Sequence, residues 1–278
     1  MIHPSALVHP SAQVAPSADI GAFAIVEAGA VIGAGCRLAA HSIVKAGSVL
    51  GDAVTVDHFA VVGGDPQDLS FDPATRSRVV VGPRTVLREH VTLHRATKPD
   101  AATIVGADGL LMAGSHVAHD CVLGDGVILA NGCMLGGHVH VGDRAFISGG
   151  VAVHQFCRIG GGSLTSGNAV ITEDLPPNGL AHGRNELAGL NLIGLRRRGV
   201  PAEAVAELKR AYHAVYAPGQ ACAARAQAEL ATGSYHTAEG RAFLEFFLGG
   251  KRGRFVQPSC AGSRSPAPAA TPPASART

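Results

Sequence analysis

Residues 105–141 read VGADGL LMAGSH VAHDCV LGDGVI LANGCM LGGHVH V, and an aliphatic residue opens each block of six. The same spacing runs outward to Ile2 on one side and to Ile171 on the other, with breaks at residues 64–78 and 94–103. Thr165 is the one non-aliphatic opening residue near the C-terminal end of this run. A period of six is neither that of an α-helix nor that of an alternating strand. It fits a short strand and a tight turn repeated around a triangular prism.

The repeat predicts a mainly β protein, a parallel β-helix with three hexads, or 18 residues, in each coil. The aliphatic residues then point inward and stack on the next coil, about 4.8 Å along the axis. The composition suits such a narrow interior, because the chain has 36 glycines, only 4% aromatic residues and no tryptophan. The period alone does not fix the hand of the helix.

We divide the chain by these patterns. The β-helix is expected over residues 1–177, and the segments 64–78 and 94–103 are expected to leave it as loops, which in a regular solenoid often carry function. A connecting segment covers residues 178–200. A small helical domain covers residues 201–257, because Pro201 suits a helix start and a second helix is expected near residues 237–247. Residues 258–278 have the composition of a disordered tail.

The bulk chemistry excludes several classes of protein. The 23 basic and 21 acidic residues nearly balance, which argues against binding to nucleic acid or to a membrane surface. No signal peptide and no apolar run of about 18 residues is found, so we expect no integral membrane association. The six cysteines form no CxxC pair and are read as reduced thiols of a cytoplasmic protein. No cofactor and no metal is expected.

Histidines cluster in one part of the repeat. The hexads that open at Val117, Leu135 and Val153 are spaced by one full coil, so they stack on the same face. This register brings His119 close to His138 and places His154 and Gln155 one coil further on, with His116 at the adjoining corner. The remaining N-terminal histidines, among them His41 and His90, are expected to be surface residues.

Two kinds of chemistry fit this cluster. A neutral imidazole such as His119 can take a proton from a hydroxyl group, with Asp120 holding the ring, and one of the N–H groups of Gly136 and Gly137 can stabilise an oxyanion. Alternatively, three histidines on a β-helix can bind zinc, as in the γ-class carbonic anhydrases. A non-catalytic trimeric scaffold remains a further alternative.

The segments LHRAT, LLMAGSHVAHDC, LGGHVHVGD, AVHQFCRIG, DLPP and GLNLIGLRRRG, together with QDLSF, occur in this order over residues 1–250. In them the chain resembles the lipid A UDP-N-acetylglucosamine O-acyltransferase family. The resemblance implies a left-handed β-helix and a cytoplasmic homotrimer with active sites between subunits. It implies transfer of a 3-hydroxyacyl group from acyl carrier protein to the glucosamine 3-OH of UDP-N-acetylglucosamine. A basic surface for the carrier protein is expected at residues 196–198 or 251–254.

The resemblance also implies a role for each matching residue. The catalytic base falls on His119, its partner on Asp120 and the oxyanion-binding N–H on Gly137. Contacts to the sugar, diphosphate or acyl arm fall on His116, His138, His154 and Gln155, with further sugar contacts at Gln67 and Asp68. Nucleotide or phosphate contacts fall on Asn191, Arg197 and Arg198. Gly167 matches the position that gauges acyl-chain length, where a glycine leaves room for a longer donor.

Three positions depart from the family pattern. Ser70 stands where a lysine is usual, Ile193 stands where a glutamate often contacts the nucleotide, and HRAT, with Ala96, replaces the usual HRGT. The base machinery is intact, so these changes bear on the acceptor more than on the chemistry. Acylation of a related sugar nucleotide, such as a 2,3-diamino sugar acylated on nitrogen, is therefore the alternative reaction. The N-acyltransferase of the same pathway is disfavoured, because the hexads begin at Ile2 and leave no room for its preceding uridine-binding domain.

Overall fold

The computed structural model describes residues 1–250 and 252–258. Most strands contain only two residues. The strands are, in chain order, β1 Leu7–Val8, β2 Gln13–Val14, β3 Asp19–Ile20, β4 Ile25–Val26, β5 Val31–Ile32, β6 Arg37–Leu38, β7 Ile43–Val44, β8 Val49–Leu50, β9 Thr55–Val56, β10 Val61–Gly64, β11 Arg78–Val81, β12 Val86–Leu87, β13 Thr92–His94, β14 Ala102–Val105, β15 Leu110–Leu111, β16 His116–Val117, β17 Val122–Leu123, β18 Ile128–Leu129, β19 Met134–Leu135, β20 His140–Val141, β21 Phe146–Ile147, β22 Ala152–Val153, β23 Arg158–Ile159, β24 Leu164–Thr165, β25 Val170–Ile171, β26 Gly179–His182, β27 Glu186–Leu190 and β28 Gln257–Pro258.

From β1 to β25, every third strand joins the same sheet, which confirms the prediction of a parallel β-helix. The first sheet runs β1, β4, β7 and so on to β25, the second runs β2, β5 and so on to β23, and the third begins at β3, β6 and β9. We call the turns after the first, second and third sheets the first, second and third corners. The second residue of each pair points inward, so that Val117 lies beside Leu135, and Leu135 beside Val153. Even Thr165 is fully buried.

Both loops leave the prism at the first corner. Residues 65–77 connect β10 to β11, and residues 95–101 connect β13 to β14, one coil apart. They therefore lie above the corner that carries His119. This placement follows from the sheet order, because each loop follows a strand of the first sheet and precedes one of the second.

The third corner carries a ladder of rings in its N-terminal half. Phe23, His41, Phe59 and His90 stack face to face with 5.2 Å between neighbouring centroids. All four have positive φ and therefore occupy equivalent turn positions. The rings of Phe23 and Phe59 remain about half exposed, at 57% and 51%. His41 and His90 are thus members of an ordered aromatic strip on this corner.

The C-terminal part contains more structure than the sequence predicts. The expected connecting segment holds the antiparallel hairpin β26–β27 and the short helix α1 Leu192–Arg197. The helical part contains α2 Ala202–Val215, α3 Cys222–Ala231 and α4 Ala238–Phe246, of which α3 is not among the predicted helices. These helices enclose a second core around Phe243 and Phe247. The predicted tail, apart from Pro258, lies outside the described residues.

Arg158 fastens the helical part to the prism. Its guanidinium pairs with Asp174 at 2.7 Å, and its other nitrogen donates to the carbonyl groups of Phe246 and Gly249 at 2.9 and 2.7 Å. The same guanidinium lies 4.2 Å from the centre of the Phe246 ring. Asp174 is only 2% exposed, so this is a buried ion pair at the junction of the two parts. No helix within the described residues is long and apolar enough to cross a membrane.

Candidate active site

Successive turns stack along the first corner and bring the predicted catalytic residues together. The backbone N–H of His138 donates to the carbonyl of His119 at 3.0 Å, and that of Phe156 donates to the carbonyl of Gly137 at 2.9 Å. Asp120 and His138 occupy equivalent turn positions, both with φ of 59°. The contact between adjacent coils is therefore built by the backbone and does not depend on flexible segments.

His119 and Asp120 form a close pair. The Nδ1 atom of His119 lies 2.8 Å from Oδ2 of Asp120, and the two side chains are only 15% and 11% exposed. A carboxylate can only accept, so the proton of the neutral imidazole lies on Nδ1 and the lone pair lies on Nε2. This arrangement leaves Nε2 of His119 as the atom that can take a proton from a substrate.

Thr97, in the second loop, holds the carboxylate from its other side. Its hydroxyl donates to Oδ2 of Asp120 at 2.7 Å, and its N–H lies 3.1 and 3.3 Å from Oδ1 and Oδ2. The backbone N–H of Asp120 in turn donates to the Thr103 hydroxyl at 2.8 Å. Burial alone would raise the pKa of Asp120, but the hydrogen bonds from His119 and Thr97 lower it below its ordinary value. Asp120 therefore remains an anion beside the base.

Gly137 lies directly against the imidazole. A Cβ atom placed on Gly137 would come within 2.5 Å of Cε1 and 2.7 Å of Nε2 of His119, so any side chain there would force the His119 ring to move. Within the described residues no protein acceptor receives the Gly137 N–H. The N–H of Gly136, in contrast, donates to the carbonyl of Val153 at 2.9 Å, so of the two glycines it is Gly137 that can bind an oxyanion.

His138 and the following coil extend the site. Nε2 of His138 lies 3.6 Å from Oδ2 of Asp120, and its ring stacks on Phe156 with 4.5 Å between centroids. His154 and Gln155 are exposed in the same turn as Phe156. The first corner thus offers a continuous polar edge that extends one coil beyond the base.

His116 lies on β16 and packs against a second, more buried histidine. Its Nδ1 is 2.7 Å from the Thr92 hydroxyl, and its ring meets that of His94 edge to face at 4.7 Å. Burial lowers the pKa of His116, and burial together with the neighbouring His116 and His119 lowers the pKa of His94 to about 4. Both rings are therefore neutral at neutral pH and can bind a substrate as hydrogen-bonding groups without adding charge.

The first loop brings Gln67 and Asp68 to the same side. Both are exposed, and Asp68 accepts from the N–H and the hydroxyl of Ser70 at 2.8 Å each. These bonds lower the pKa of Asp68 below its ordinary value. The loop is held by Arg95, which pairs with Asp65 at 2.8 Å and donates to the Pro73 carbonyl at 2.9 Å. Ser70 is therefore held by hydrogen bonds to Asp68.

The same residues could also hold a cation, because ligand atoms of His119, Asp120 and His138 lie within 4.8 Å of one another. The hydrogen bonds argue for a different use. Oδ2 of Asp120 already accepts from both the Thr97 hydroxyl and the His119 ring. Such a carboxylate is oriented toward donors, so the geometry favours a hydrogen-bonded base over a metal-ligand set.

Comparisons with known proteins agree with this geometry. Residues 102–137 match the family model described as bacterial transferase hexapeptide, six repeats, and residues 174–255 match that described as UDP N-acetylglucosamine O-acyltransferase, domain 2. The acyl-[acyl-carrier-protein]–UDP-N-acetylglucosamine O-acyltransferase of Caulobacter vibrioides is 45% identical over 218 residues, which cover 78% of this chain and 82% of that protein. The chain belongs to the UDP-N-acetylglucosamine O-acyltransferase family.

Other members of the UDP-N-acetylglucosamine O-acyltransferase family agree in sequence and in fold. The protein of that name from Anaeromyxobacter is 41% identical over 209 residues, or 74% of this chain and 80% of its own length. The crystal structure from Bacteroides fragilis is 34% identical with a TM-score of 0.85, covering 92% of this chain and 99% of that one. The structure from Francisella novicida is 32% identical with a TM-score of 0.87, covering 93% and 95%.

Four residues assigned to this site by the family resemblance lie at other corners. Gly167 is exposed at the third corner. Arg198 lies at the second corner, where it contacts Asn178, and burial and then the charge of Arg144 lower its pKa. Arg197 is exposed in the last turn of α1. Asn191 caps that helix: its side chain accepts from Gly194 at 2.9 Å and donates to the Gly162 carbonyl at 3.1 Å, so this geometry does not support a nucleotide contact by its side chain.

Three residues of the site were not predicted from the sequence: Thr97, Phe156 and His94. Thr97 stands in the quoted segment LHRAT, within the second loop, so its position at a break in the repeat was the available signal. Phe156 shares its hexad with His154, and its stacking on His138 follows from the 18-residue register.

Proposed function

We propose that this chain transfers a 3-hydroxyacyl group from acyl carrier protein to the glucosamine 3-OH of UDP-N-acetylglucosamine, the first step of lipid A biosynthesis. The proposal rests on the arrangement of His119, Asp120, Thr97 and Gly137 at the first corner. Asp120 orients His119, Thr97 fixes Asp120, and the free N–H of Gly137 lies beside the same ring. A base and an oxyanion donor are thereby adjacent, as acyl transfer to a hydroxyl requires.

The reaction balances with these groups alone. Nε2 of His119 takes the proton of the 3-OH while the oxygen attacks the thioester carbonyl. The Gly137 N–H binds the oxyanion of the tetrahedral intermediate. The carbon–sulfur bond then breaks, and the imidazolium returns the proton to the thiolate of the carrier protein. Asp120 stabilises the imidazolium in between and keeps the ring in the correct tautomer.

The outer face of the first sheet offers a path for the acyl chain. Met134, Ala152 and Val170 lie side by side on β19, β22 and β25, next to His116 on β16. Met134 is 51% exposed. Gly167 precedes β25 at the far edge of this face, and a Cβ atom there would meet only the Gly149 carbonyl, at an ordinary 3.5 Å. The open space at Gly167 supports the proposal of a longer donor, and a side chain built there would shorten the path.

Gly167→Met tests the donor length. We expect a preference for long 3-hydroxyacyl donors in the wild type and a shift toward shorter ones in the variant, because the new side chain fills the end of the track. Competition assays with carrier proteins loaded with ten-carbon and fourteen-carbon chains measure the ratio. A wild type that strongly prefers the ten-carbon donor contradicts the assignment.

We further propose a homotrimer in the cytoplasm. The family motifs assign substrate contacts to the second corner and to α1, whereas the base lies at the first corner, so another copy of the chain would have to supply them. The half-exposed rings of Phe23 and Phe59 mark the third corner as a surface suited to a neighbouring copy. The described cysteines are all free thiols and four of them are buried, which suits a reducing compartment.

The first experiment is an acyl-transfer assay with UDP-N-acetylglucosamine and 3-hydroxyacyl carrier proteins, read by mass spectrometry. His119→Ala should lower kcat by about 10²–10⁴-fold, the usual contribution of a general base. His140→Ala is the matched control, because His140 lies on β20 of the second sheet, away from the first corner, and should leave the rate unchanged.

A second acceptor accompanies this assay because of Ser70 and Ile193. Ser70 is bound to Asp68 and offers no charge, and Ile193 is 58% exposed where the family often has glutamate. A 2,3-diamino sugar nucleotide is therefore assayed in parallel. If only the 2,3-diamino sugar nucleotide gives a product, the enzyme acylates a nitrogen and not an oxygen. If neither acceptor gives a product, the result supports the alternative of a non-catalytic scaffold.

A further inference from the structure

The C-terminal segment 252–258 returns from the helical part and is fixed against the end of the prism. The N–H of Asp174 donates to the carbonyl of Arg254 at 2.9 Å, and the N–H of Val256 donates to the carbonyl of Asp174 at 3.0 Å. Because Asp174 is itself held by Arg158, this segment is anchored to a buried ion pair. A side chain that extends from it toward the first corner therefore has a rigid base.

Arg252 is such a side chain. One terminal nitrogen of its guanidinium lies 3.2 Å from Nδ1 of His154, 3.0 Å from the carbonyl of Gln155 and 3.6 Å from the sulfur of Cys157. Burial raises the pKa of Cys157 to about 11, so that side chain is a neutral thiol and a weak acceptor. The two principal partners of Arg252 are thus consecutive residues of the first corner, one coil beyond His138.

The contact selects one form of the His154 ring. A guanidinium only donates hydrogen bonds, so Nδ1 of His154 is the acceptor in its contact with Arg252. The other tautomer would donate from Nδ1 to the Gln155 carbonyl, 3.0 Å away, and Arg252 opposes that tautomer because its terminal nitrogen already donates to the same carbonyl. The proton of the neutral imidazole is then on Nε2, which faces away from the guanidinium and can donate to an acceptor oxygen.

We propose that Arg252 is a positioning residue for substrate binding, which fixes His154 as an Nε2–H donor toward an oxygen of the sugar nucleotide or of the acyl arm. This inference rests on the proposed function, and it assigns to the C-terminal segment a part in the site at the first corner. Without Arg252 the ring is free to rotate and to exchange tautomers, and the loss should appear mainly in KM.

The other use of this arginine is as part of a basic surface for the acidic carrier protein, together with its neighbours in residues 251–254. The two uses differ in whether the effect passes through His154. A positioning role disappears once His154 is removed, whereas a docking role does not.

A double-mutant cycle separates the two. Arg252→Ala should lower kcat/KM about tenfold, which is about 1.4 kcal/mol, and the same change in a His154→Ala background should have no further effect. Arg252→Lys keeps the charge but loses the fork, so only partial recovery is expected. Arg241→Ala is the control, because Arg241 is exposed and pairs only with Glu245 on α4. Equal losses in both backgrounds, or no loss at all, overturn the proposal.

A measurement that does not depend on enzyme activity separates this test from the test of the proposed function. The ring nitrogens of His154 are observed in protein labelled with ¹⁵N-histidine and assigned by comparison with His154→Gln. The wild type should show an unprotonated Nδ1 and a protonated Nε2 at neutral pH. Arg252→Ala should shift both signals toward an exchanging mixture. Identical His154 signals in the two proteins contradict the inference even if acyl transfer is observed.

Discussion

Gly137 is the residue at which the backbone approaches the base most closely, and it leads to a paired prediction. In Gly137→Ala the three atoms nearest to the new methyl group all belong to the His119 ring, which can rotate, so the fold should persist while kcat falls by about 10²-fold or more. In Gly136→Ala the methyl group meets the backbone nitrogen of Gln155 at 2.7 Å, which cannot rotate away.

The two variants should therefore lose different properties: Gly137→Ala should lose activity, and Gly136→Ala should lose thermal stability. Circular dichroism melting should show little change in Tm for Gly137→Ala and a clear decrease for Gly136→Ala. Full activity in Gly137→Ala would contradict the assignment of this glycine to the site.

His94 should make stability depend on pH. It is 8% exposed, its Nδ1 has no partner within the described residues, and burial with its neighbours lowers its pKa to about 4. The unfolded chain, in which a histidine has its ordinary pKa of about 6.5, takes up the proton first. The free energy of unfolding should therefore fall as the pH decreases from about 6.5 to about 4, by on the order of 3 kcal/mol from this residue.

Denaturant unfolding of His94→Gln across this range measures the effect. The variant should lose less stability on acidification than the wild type does. His140→Gln, at an exposed position on β20, is the control and should follow the wild type. Parallel pH profiles for all three proteins would show that His94 is not the responsible group.

At the scale of elements, the junction between the prism and the helices depends on Arg158. Removing this side chain in Arg158→Ala leaves the buried carboxylate of Asp174 without its ion pair, and we expect a loss of about 3–5 kcal/mol. Limited proteolysis should then cut first within α2 to α4, because these helices lose their attachment.

An exposed pair provides the comparison. Arg84 and Asp108 are also in contact, at 2.6 Å, but their side chains are 59% and 53% exposed. Arg84→Ala should therefore change the free energy of unfolding by less than about 1 kcal/mol. Equal effects of the two arginine variants would show that burial of Asp174 does not govern this junction.

The elements also show what a sequence can predict. The inward positions and both loops follow from the period of six, because each inward residue must stack on the residue 18 positions away. The position of Thr97 does not follow, since the path of a loop is not set by the period. Helix α3 gives a weak signal because it is rich in alanine and begins after Ala221 with no side-chain cap. Asn191 can act as an N-cap only because α1 follows it, and the six residues of α1 are too few to show a clear helical pattern in the sequence.

At the scale of the whole molecule, the assigned groups lie at different corners of one chain, which predicts complementation between inactive variants. His119→Ala and Arg197→Ala are each expected to be inactive or nearly so. In each proposed trimer that contains both variants, one of the three sites should combine an intact first corner with an intact neighbouring α1. Co-expression with two different tags, followed by purification of mixed assemblies, measures the recovered rate.

Activity that stays at the sum of the two parents after co-expression would contradict sites shared between copies. Mixing the separately assembled variants is the control, since no exchange of chains is expected there.

The coil of 18 residues also limits how such a chain can change its length. Deleting residues 21–38, one full turn ahead of both loops, would shorten the rod by about 4.8 Å and leave every later residue at its present corner. Deleting only six residues between Asp120 and Gly137 would instead carry His138 a third of a revolution around the axis, away from His119. Insertions and deletions between the site residues therefore preserve the site only when they add or remove whole coils of 18 residues. Evolution of the length of such a chain is limited to these steps.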